Sequence, residues 1–231
     1  MVEIHRRGGL CILGLVDIND TNVNHVGRGR REKELKAIRS FLNMVIGLCG
    51  FKCSGKSEVA KYISEVYGFK RLNFKDALVE EIKSGFPDLL DGIINVMDKT
   101  EYDGVNQWTI DRLFKDKPLL MRALMQNYGT EVRRKDDINY WTSKWDEAIT
   151  YSSETNFIAD DVRFQNELDA IKKHNGILIR VMRSDILSGG GHSSEKEQAI
   201  FDADFNVLAA RGNLESLYHQ VDGIMAHISA D

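Results

Sequence analysis

From Met44 onward, the apolar positions of the chain switch back and forth between two periods. The run Met44-Val-Ile-Gly-Leu-Cys49 is apolar throughout at strand length, the mark of a strand buried on both faces. Glu58-Val-Ala-Lys-Tyr-Ile-Ser-Glu-Val-Tyr67 then changes to helical spacing. The same reading predicts a short strand over 69–73, a helix over 75–83, and helices over 109–115, 118–134 and 139–151. A buried strand over 156–161, a helix over 166–174, strands over 176–182 and 203–208, and a closing helix over 214–228 complete the series. Pro118 stands where a helix start tolerates it. Residues 84–108, with Gly85, Pro87, Gly92 and Gly104, are the least regular stretch and read as an insertion, and residues 188–194 read as a glycine-rich loop. Strands alternating with helices predict an α/β fold with a mainly parallel sheet, without internal repeats.

Residues 1–43 do not share this pattern. A short apolar patch at 10–16 gives way to the polar 19–25 and then to Arg28-Gly-Arg-Arg-Glu-Lys-Glu-Leu-Lys36, whose interspersed glutamates suit a solvated helix face better than a nucleic-acid contact. The patch is too short, and runs too directly into Asp17, to be a signal peptide. The expected organisation is an N-terminal extension over 1–43, outside the functional protein, and one catalytic domain over 44–231.

Between the first strand and the first helix lies Gly50-Phe-Lys-Cys-Ser-Gly55-Lys56-Ser57, a match to G-x-x-x-x-G-K-[ST]. Strand, glycine-rich turn and helix are the context this phosphate-binding loop requires. Gly50 and Gly55 let successive N–H groups turn inward around an anion, and the helix N-terminus adds its dipole. Gly50, Ser54, Gly55, Lys56 and Ser57 are therefore the candidate ATP site, with Lys56 reaching the β- and γ-phosphates and the Ser57 hydroxyl on Mg2+. Asp160 and Asp161 close the apolar strand 156–161, where a carboxylate can hold Mg2+ or its waters, in part with Ser57. Adjacent strand residues point to opposite faces, so one of the two faces the site; Asp160 is taken as the metal-side carboxylate. Arginines able to offset phosphate charge stand at Arg163, Arg180, Arg183, Arg133, Arg134 and Arg122, and Arg122 is favoured among the further candidates because it lies on a strongly apolar helix.

Composition narrows the function. At 231 residues the chain can form one sizeable core, and 42% apolar with 29% charged residues is globular. A net charge of −4 gives no support to nucleic-acid or membrane partners recruited by bulk charge, and no apolar run is long enough to span a membrane. Cys11, Cys49 and Cys53 form no C-x-x-C pair, which suits a reducing compartment. No D-x-x-G or [NT]-K-x-D follows the loop, which disfavours a switch GTPase.

Three further blocks are similar to those of the phage-type deoxynucleoside monophosphate kinases. Leu120-Met-Arg-Ala-Leu-Met-Gln-Asn-Tyr-Gly-Thr130, with Tyr140-Trp141 downstream, resembles that family's R-x-L-M-Q-x-x-G-T block. Ile158-Ala-Asp-Asp-Val-Arg163, continuing to Glu167, resembles its D-x-R-x-x-x-E strand end, and Arg183 with His192-Ser-Ser-Glu195 its short lid. The resemblance implies a three-layer P-loop NTPase fold with a helical NMP-binding region and a short lid, and transfer of the γ-phosphoryl of ATP to a deoxynucleoside monophosphate. It implies Lys52, Lys75, Arg122, Gly129, Thr130, Trp141, Asp161, Arg163 and Glu167 around the monophosphate, with Lys56, Arg163 and Arg183 catalytic and ATP and Mg2+ as cofactors. Trp141 would wall a base, and Gly189, Gly190 and Gly191 suit a lid hinge. Partners are then small-molecule nucleotides, with a homodimer as one assembly open to the chain, and the location is cytoplasmic, host cytoplasm if the protein is viral. A dephospho-coenzyme A kinase or other small-metabolite kinase on the same scaffold, and an ATP-binding regulatory module, stand as the alternatives.

Overall fold

The computed structural model of the chain describes residues 43–99, 107–183, 198 and 200–230. The reading of 1–43 as an extension and the hinge at Gly189, Gly190 and Gly191, with His192 and Glu195, fall outside the described residues, apart from Asn43.

Among the described residues, β1 (Val45–Cys49), β2 (Lys70–Arg71), β3 (Phe157–Ala159), β4 (Ile177–Arg183) and β5 (Phe205–Ala209) form one sheet in the order β2-β3-β1-β4-β5. Every pairing is parallel, with Ile46 opposite Ile158 on one side and Ile177 on the other. β1 is the central strand and all five of its residues are buried, which is why its sequence is continuously apolar. The loop that follows it thus leaves the middle of the sheet at its carboxyl edge, where ligands of open α/β sheets bind.

Strand alternation sorts the two faces. Ile46 and Leu48 join Val59, Ala60 and Ile63 of α1 (Lys56–Tyr67) and Leu217, Val221 and Met225 of α8 (Leu214–Ile228) in one core. Val45 and Cys49 join Trp145 of α6 (Tyr140–Thr150) and Leu168, Ala170 and Ile171 of α7 (Gln165–Lys173) in the other. Gly47 lies on this second face, where an added Cβ would stand 3.1 Å from side chains of both Ile171 and Val162. The result is the three-layer arrangement expected.

A third core is built mainly from helices. It joins Leu78 and Ile82 of α2 (Phe74–Gly85), Leu90, Ile93 and Met97 of α3 (Pro87–Lys99), Leu113 and Phe114 of α4 (Ile110–Asp116), Met121 of α5 (Leu119–Gln126) and Trp141. α3 overturns the irregular insertion expected over 84–108. Its apolar residues recur at helical spacing, and Gly92, exposed with open space around it, costs propensity without breaking the helix. The single helix expected over 118–134 also changes character. At Asn127 it widens into a π-helix (Asn127–Arg134), a form that occurs mostly in short stretches and often near functional sites. Inside it, the Gly129 carbonyl accepts the indole N–H of Trp141 (3.0 Å).

Candidate functional site

The β1–α1 loop has the backbone of an anion cradle. Gly50 holds φ at +137°, and a Cβ there would come within 2.2 Å of the Val181 carbonyl oxygen. Gly55, at φ +106°, is the N-cap of α1 and contributes no side-chain cap, so the helix N-terminus is left to other acceptors. Within the loop the Ser54 hydroxyl is buried with no hydrogen-bond partner among the described residues. Lys56 folds its ammonium onto the Gly50 and Phe51 carbonyls at 2.6 and 2.8 Å. Burial, and secondarily the nearby Arg163, lower its pKa, with Asp160 opposing. An orphaned hydroxyl, a helix N-terminus and an ammonium whose charge is disfavoured fit the β- and γ-phosphates of a bound triphosphate.

Two further contacts fix the loop from outside. The Gly50 N–H donates to Oε1 of the buried Gln198 (3.1 Å), and Arg183 donates from Nη1 to the Cys53 carbonyl (2.9 Å). Arg183 at the end of β4 thereby reaches the loop. Lys52 is exposed at the loop's tip.

Asp160 and Asp161 follow β3, and the structure separates their duties. Asp160 is buried against Arg71 (2.5 Å) and Lys75 (3.5 Å), and its carboxylate is within hydrogen-bonding reach of the Ser57 hydroxyl. Burial works against its charge, yet Lys75, Arg71 and Ser57 together hold its pKa below the usual carboxylate range. Asp161 instead accepts the first N–H groups of α2, from Phe74 and Lys75, at 3.1 Å each. It restrains that helix by its dipole and keeps Lys75 within 3.8 Å. A hydroxyl and one ionised carboxylate are hard oxygen donors suited to Mg2+. No cluster of three or more potential ligands of the Asp, Glu, His or Cys type occurs among the described residues, so phosphates and water would supply the remaining positions.

The other cations converge from separate segments. Arg163, exposed on the β3–α7 connection, has its backbone N–H fixed by Glu167 Oε2 at 2.7 Å. The second oxygen of Glu167 is paired with Arg134 at the end of the π-helix. Glu167 is fully buried, and burial carries its pKa up to about 7 against Arg134 and the two backbone donors Arg163 and Phe164. Both of its oxygens are engaged by protein groups, one of them fixing the Arg163 backbone. Arg122, exposed on α5, and Arg163 both lie within electrostatic reach of Lys117 at the α4–α5 turn, as does Lys75.

Gly129, Thr130 and Trp141 form a neighbouring group. Thr130 is exposed, whereas Gly129 is packed so that an added Cβ would stand 3.1 Å from Leu78. Trp141 is 3% exposed, edge-on to Tyr140 and hydrogen-bonded to Gly129. The open wall for a base expected of it is therefore replaced by a core role, because the third core closes over its ring.

Sequence reading passed over Arg71, Lys117 and Gln198, and offered Arg134 only as one of several arginines able to offset phosphate charge. Arg71 sits two residues before Asn73, whose side chain both accepts the Asp160 N–H (2.8 Å) and caps α2, so strand and helix signals masked its chemistry. Arg134 and Gln198 act on residues 33 and 148 positions away, and no local spacing marks them. Lys117 carries one local signal, its place directly before Pro118 at the end of a helical pattern.

Comparison with known proteins identifies the family. The family model for deoxynucleotide monophosphate kinase matches residues 93–221, a span that takes in Arg122, Gly129, Trp141, Asp160, Arg163 and Glu167. A protein of Acanthamoeba polyphaga mimivirus, provisionally named a deoxynucleotide monophosphate kinase, is 30% identical over 190 residues, covering 77% of this chain and 94% of the relative. No helix among the described residues is long and apolar enough to cross a membrane. The chain belongs to the deoxynucleotide monophosphate kinase family, and is a phosphotransferase acting on small-molecule nucleotides.

Proposed function

We propose that the protein moves the γ-phosphoryl group of ATP onto the phosphate of a deoxynucleoside monophosphate, releasing ADP and the deoxynucleoside diphosphate. The observation that carries this reading is that Arg163, its backbone fixed by Glu167, bears electrostatically on two cationic groupings. It acts on Lys56 of the phosphate loop, and it acts on Lys117 together with Lys75 and Arg122. Two phosphate-bearing substrates meeting at one arginine need such an arrangement, since their charges would otherwise repel.

In this reading Gly50, Ser54, Gly55, Lys56 and Ser57 hold the ATP phosphates. Ser57 and Asp160 would hold Mg2+, partly through water, and the ion would neutralise and orient the β- and γ-phosphates. Lys52, Lys75, Arg122 and the Gly129–Thr130 segment receive the monophosphate. Asp161 and Glu167 act as positioning residues, the first through the start of α2 and Lys75, the second through Arg163. An oxygen of the acceptor phosphate attacks the γ-phosphorus, and the bond from that phosphorus to the β,γ-bridging oxygen breaks. Little covalent work falls to the protein, which aligns the two oxygens and offsets charge through Lys56, Arg163 and Arg183.

The test is ADP release with ATP and a panel of deoxynucleoside monophosphates, ribonucleoside monophosphates and dephospho-coenzyme A. Turnover of at least one deoxynucleoside monophosphate is expected, and Lys56→Met should lower it at least about a hundredfold, the loss typical of one preorganised donor to transition-state charge. Turnover of dephospho-coenzyme A alone, or wild-type activity in Lys56→Met, would overturn the proposal.

A further inference from the structure

We propose that Arg71 keeps the metal-side carboxylate neutralised in the empty protein, so that a divalent cation enters the site only together with the triphosphate. The proposal rests on the kinase reading above, in which Ser57 and Asp160 face Mg2+, and deepens it. Asp160 follows β3, and its side chain is 4% exposed. On the edge strand β2, Arg71 stands in register with Ile158, two residues before Asp160. Its side chain reaches forward along the carboxyl edge of the sheet until Nη2 lies 2.5 Å from Asp160 Oδ2. Lys75, in the first turn of α2, meets the other oxygen, Oδ1, at 3.5 Å. The carboxylate's backbone is pinned as well, since the Asp160 N–H donates to Asn73 Oδ1 (2.8 Å).

Each oxygen of a buried carboxylate thus has its own cation. The neighbouring Asp161 adds no spare charge. Its oxygens accept the N–H groups of Phe74 and Lys75 at 3.1 Å each, and the Lys75 ammonium lies 3.8 Å from it. Two carboxylates set against two cations leave the place without net charge. No third carboxylate, histidine or thiol completes a ligand set there, since no group of three or more such residues that could hold a metal occurs among the described residues. A hard divalent cation arriving alone would have to part Asp160 from Arg71 and face two like charges at close range. Phosphate oxygens reverse that balance, because they bring ligands and negative charge along with the ion. A purely structural ion pair shows the same contact. The two roles differ in what the loss of Arg71 does to metal affinity: a structural pair leaves it unchanged or lowers it, whereas the proposed role raises it.

The experiment titrates the full chain with Mn2+ in the absence of any nucleotide and reads free Mn2+ from its electron paramagnetic resonance signal. It compares wild type with Arg71→Met, Arg71→Gln and Arg71→Lys, and uses Lys70→Met, which removes the adjacent exposed lysine, as control. The wild type should bind Mn2+ no tighter than about 1 mM. Arg71→Met and Arg71→Gln should each tighten binding by about 5- to 30-fold, the effect of removing one partly solvent-screened charge beside the ion. Arg71→Lys and Lys70→Met should stay within about twofold of wild type. Adding Asp160→Asn to Arg71→Gln should abolish the gain and so place the ion at that carboxylate. Unchanged or weaker binding in Arg71→Met and Arg71→Gln would overturn the proposal, as would an equal gain in Lys70→Met or a gain that survives Asp160→Asn. A wild type that binds Mn2+ tighter than about 1 mM would overturn it too. If Arg71→Met fails to fold, Arg71→Gln, which keeps a donor for Asp160, carries the comparison. Since neither nucleotide nor turnover enters the titration, a protein that phosphorylates no acceptor would count against the proposed reaction and leave the Arg71 result decisive on its own.

Discussion

Replacing Trp141 with Phe separates a scaffold role from a ligand role. The indole N–H donates to the Gly129 carbonyl inside the π-helix, in a side chain that is 3% exposed. Phenylalanine keeps one aromatic ring against Tyr140 and the third core but removes that donor. A buried carbonyl left without its partner costs about 1–3 kcal/mol. The smaller ring also leaves a void that neighbours fill only in part, adding about 1 kcal/mol. A total of about 2–4 kcal/mol corresponds to a fall in Tm of roughly 4–16 °C for a domain of this size. Thermal and urea melts of the two proteins measure it. If Trp141 works only through Gly129, the KM for the monophosphate should change less than about threefold while stability falls. An unchanged Tm accompanied by a tenfold or larger rise in that KM would refute the reasoning and return the ring to the base.

Two further predictions concern the buried carboxylates. Glu167, raised from an ordinary 4.5 in the unfolded chain to about 7 in the folded one, binds more proton when folded between those values. Its contribution to stability is therefore present below about pH 4.5 and lost as pH rises through 7, on the order of 3 kcal/mol by linkage. Urea midpoints from pH 5 to 8 should show a decline in the wild type that Glu167→Gln, which cannot titrate, lacks; identical slopes would refute this. Asp161→Ala removes the acceptor for two N–H groups at the start of α2, costing about 2–4 kcal/mol. It should also raise the KM for the monophosphate through Lys75 more than that for ATP, and a variant with wild-type Tm would show that Asp161 restrains nothing.

The donor half of the site was legible in the chain because its chemistry is local. Gly50, Gly55, Lys56 and Ser57 lie within eight consecutive residues, and the strand and helix that give them meaning adjoin them. The sheet was legible for the same reason, since a strand buried on both faces must be apolar at every position. The acceptor half was not, beyond what resemblance supplied. Arg71 and Lys117 are two among 31 lysines and arginines, and what singles them out is the company the fold brings to them. Residues that do carry a motif misled in another way. Trp141 and Glu167 were read as ligand contacts, but a pattern records only that a residue type is needed at a position. It does not distinguish a group that touches substrate from one that holds the group that does. The helix α3 was missed because Gly92 and the flanking Gly85 and Pro87 outweighed three apolar residues at helical spacing.

These supporting contacts share an arrangement that bears on how the two substrates are handled. Arg134, at the end of the π-helix, holds Glu167; Glu167 holds the backbone of Arg163; Asp161, two residues earlier, holds the start of α2 and with it Lys75. Trp141 holds the other part of the π-helix through Gly129. The helices that carry Lys75 and Arg122 are thus joined to the segment after β3 by polar contacts of the buried Asp161, Glu167 and Trp141. The phosphate loop is held by different groups, Gln198 at Gly50 and Arg183 at Cys53, both reached from the β4 side of the sheet. Donor and acceptor cations therefore rest on separate supports that meet at Arg163. Since coupling between sites is carried by the groups both share, that residue is where loosening either support should be felt at the other under the proposed reaction.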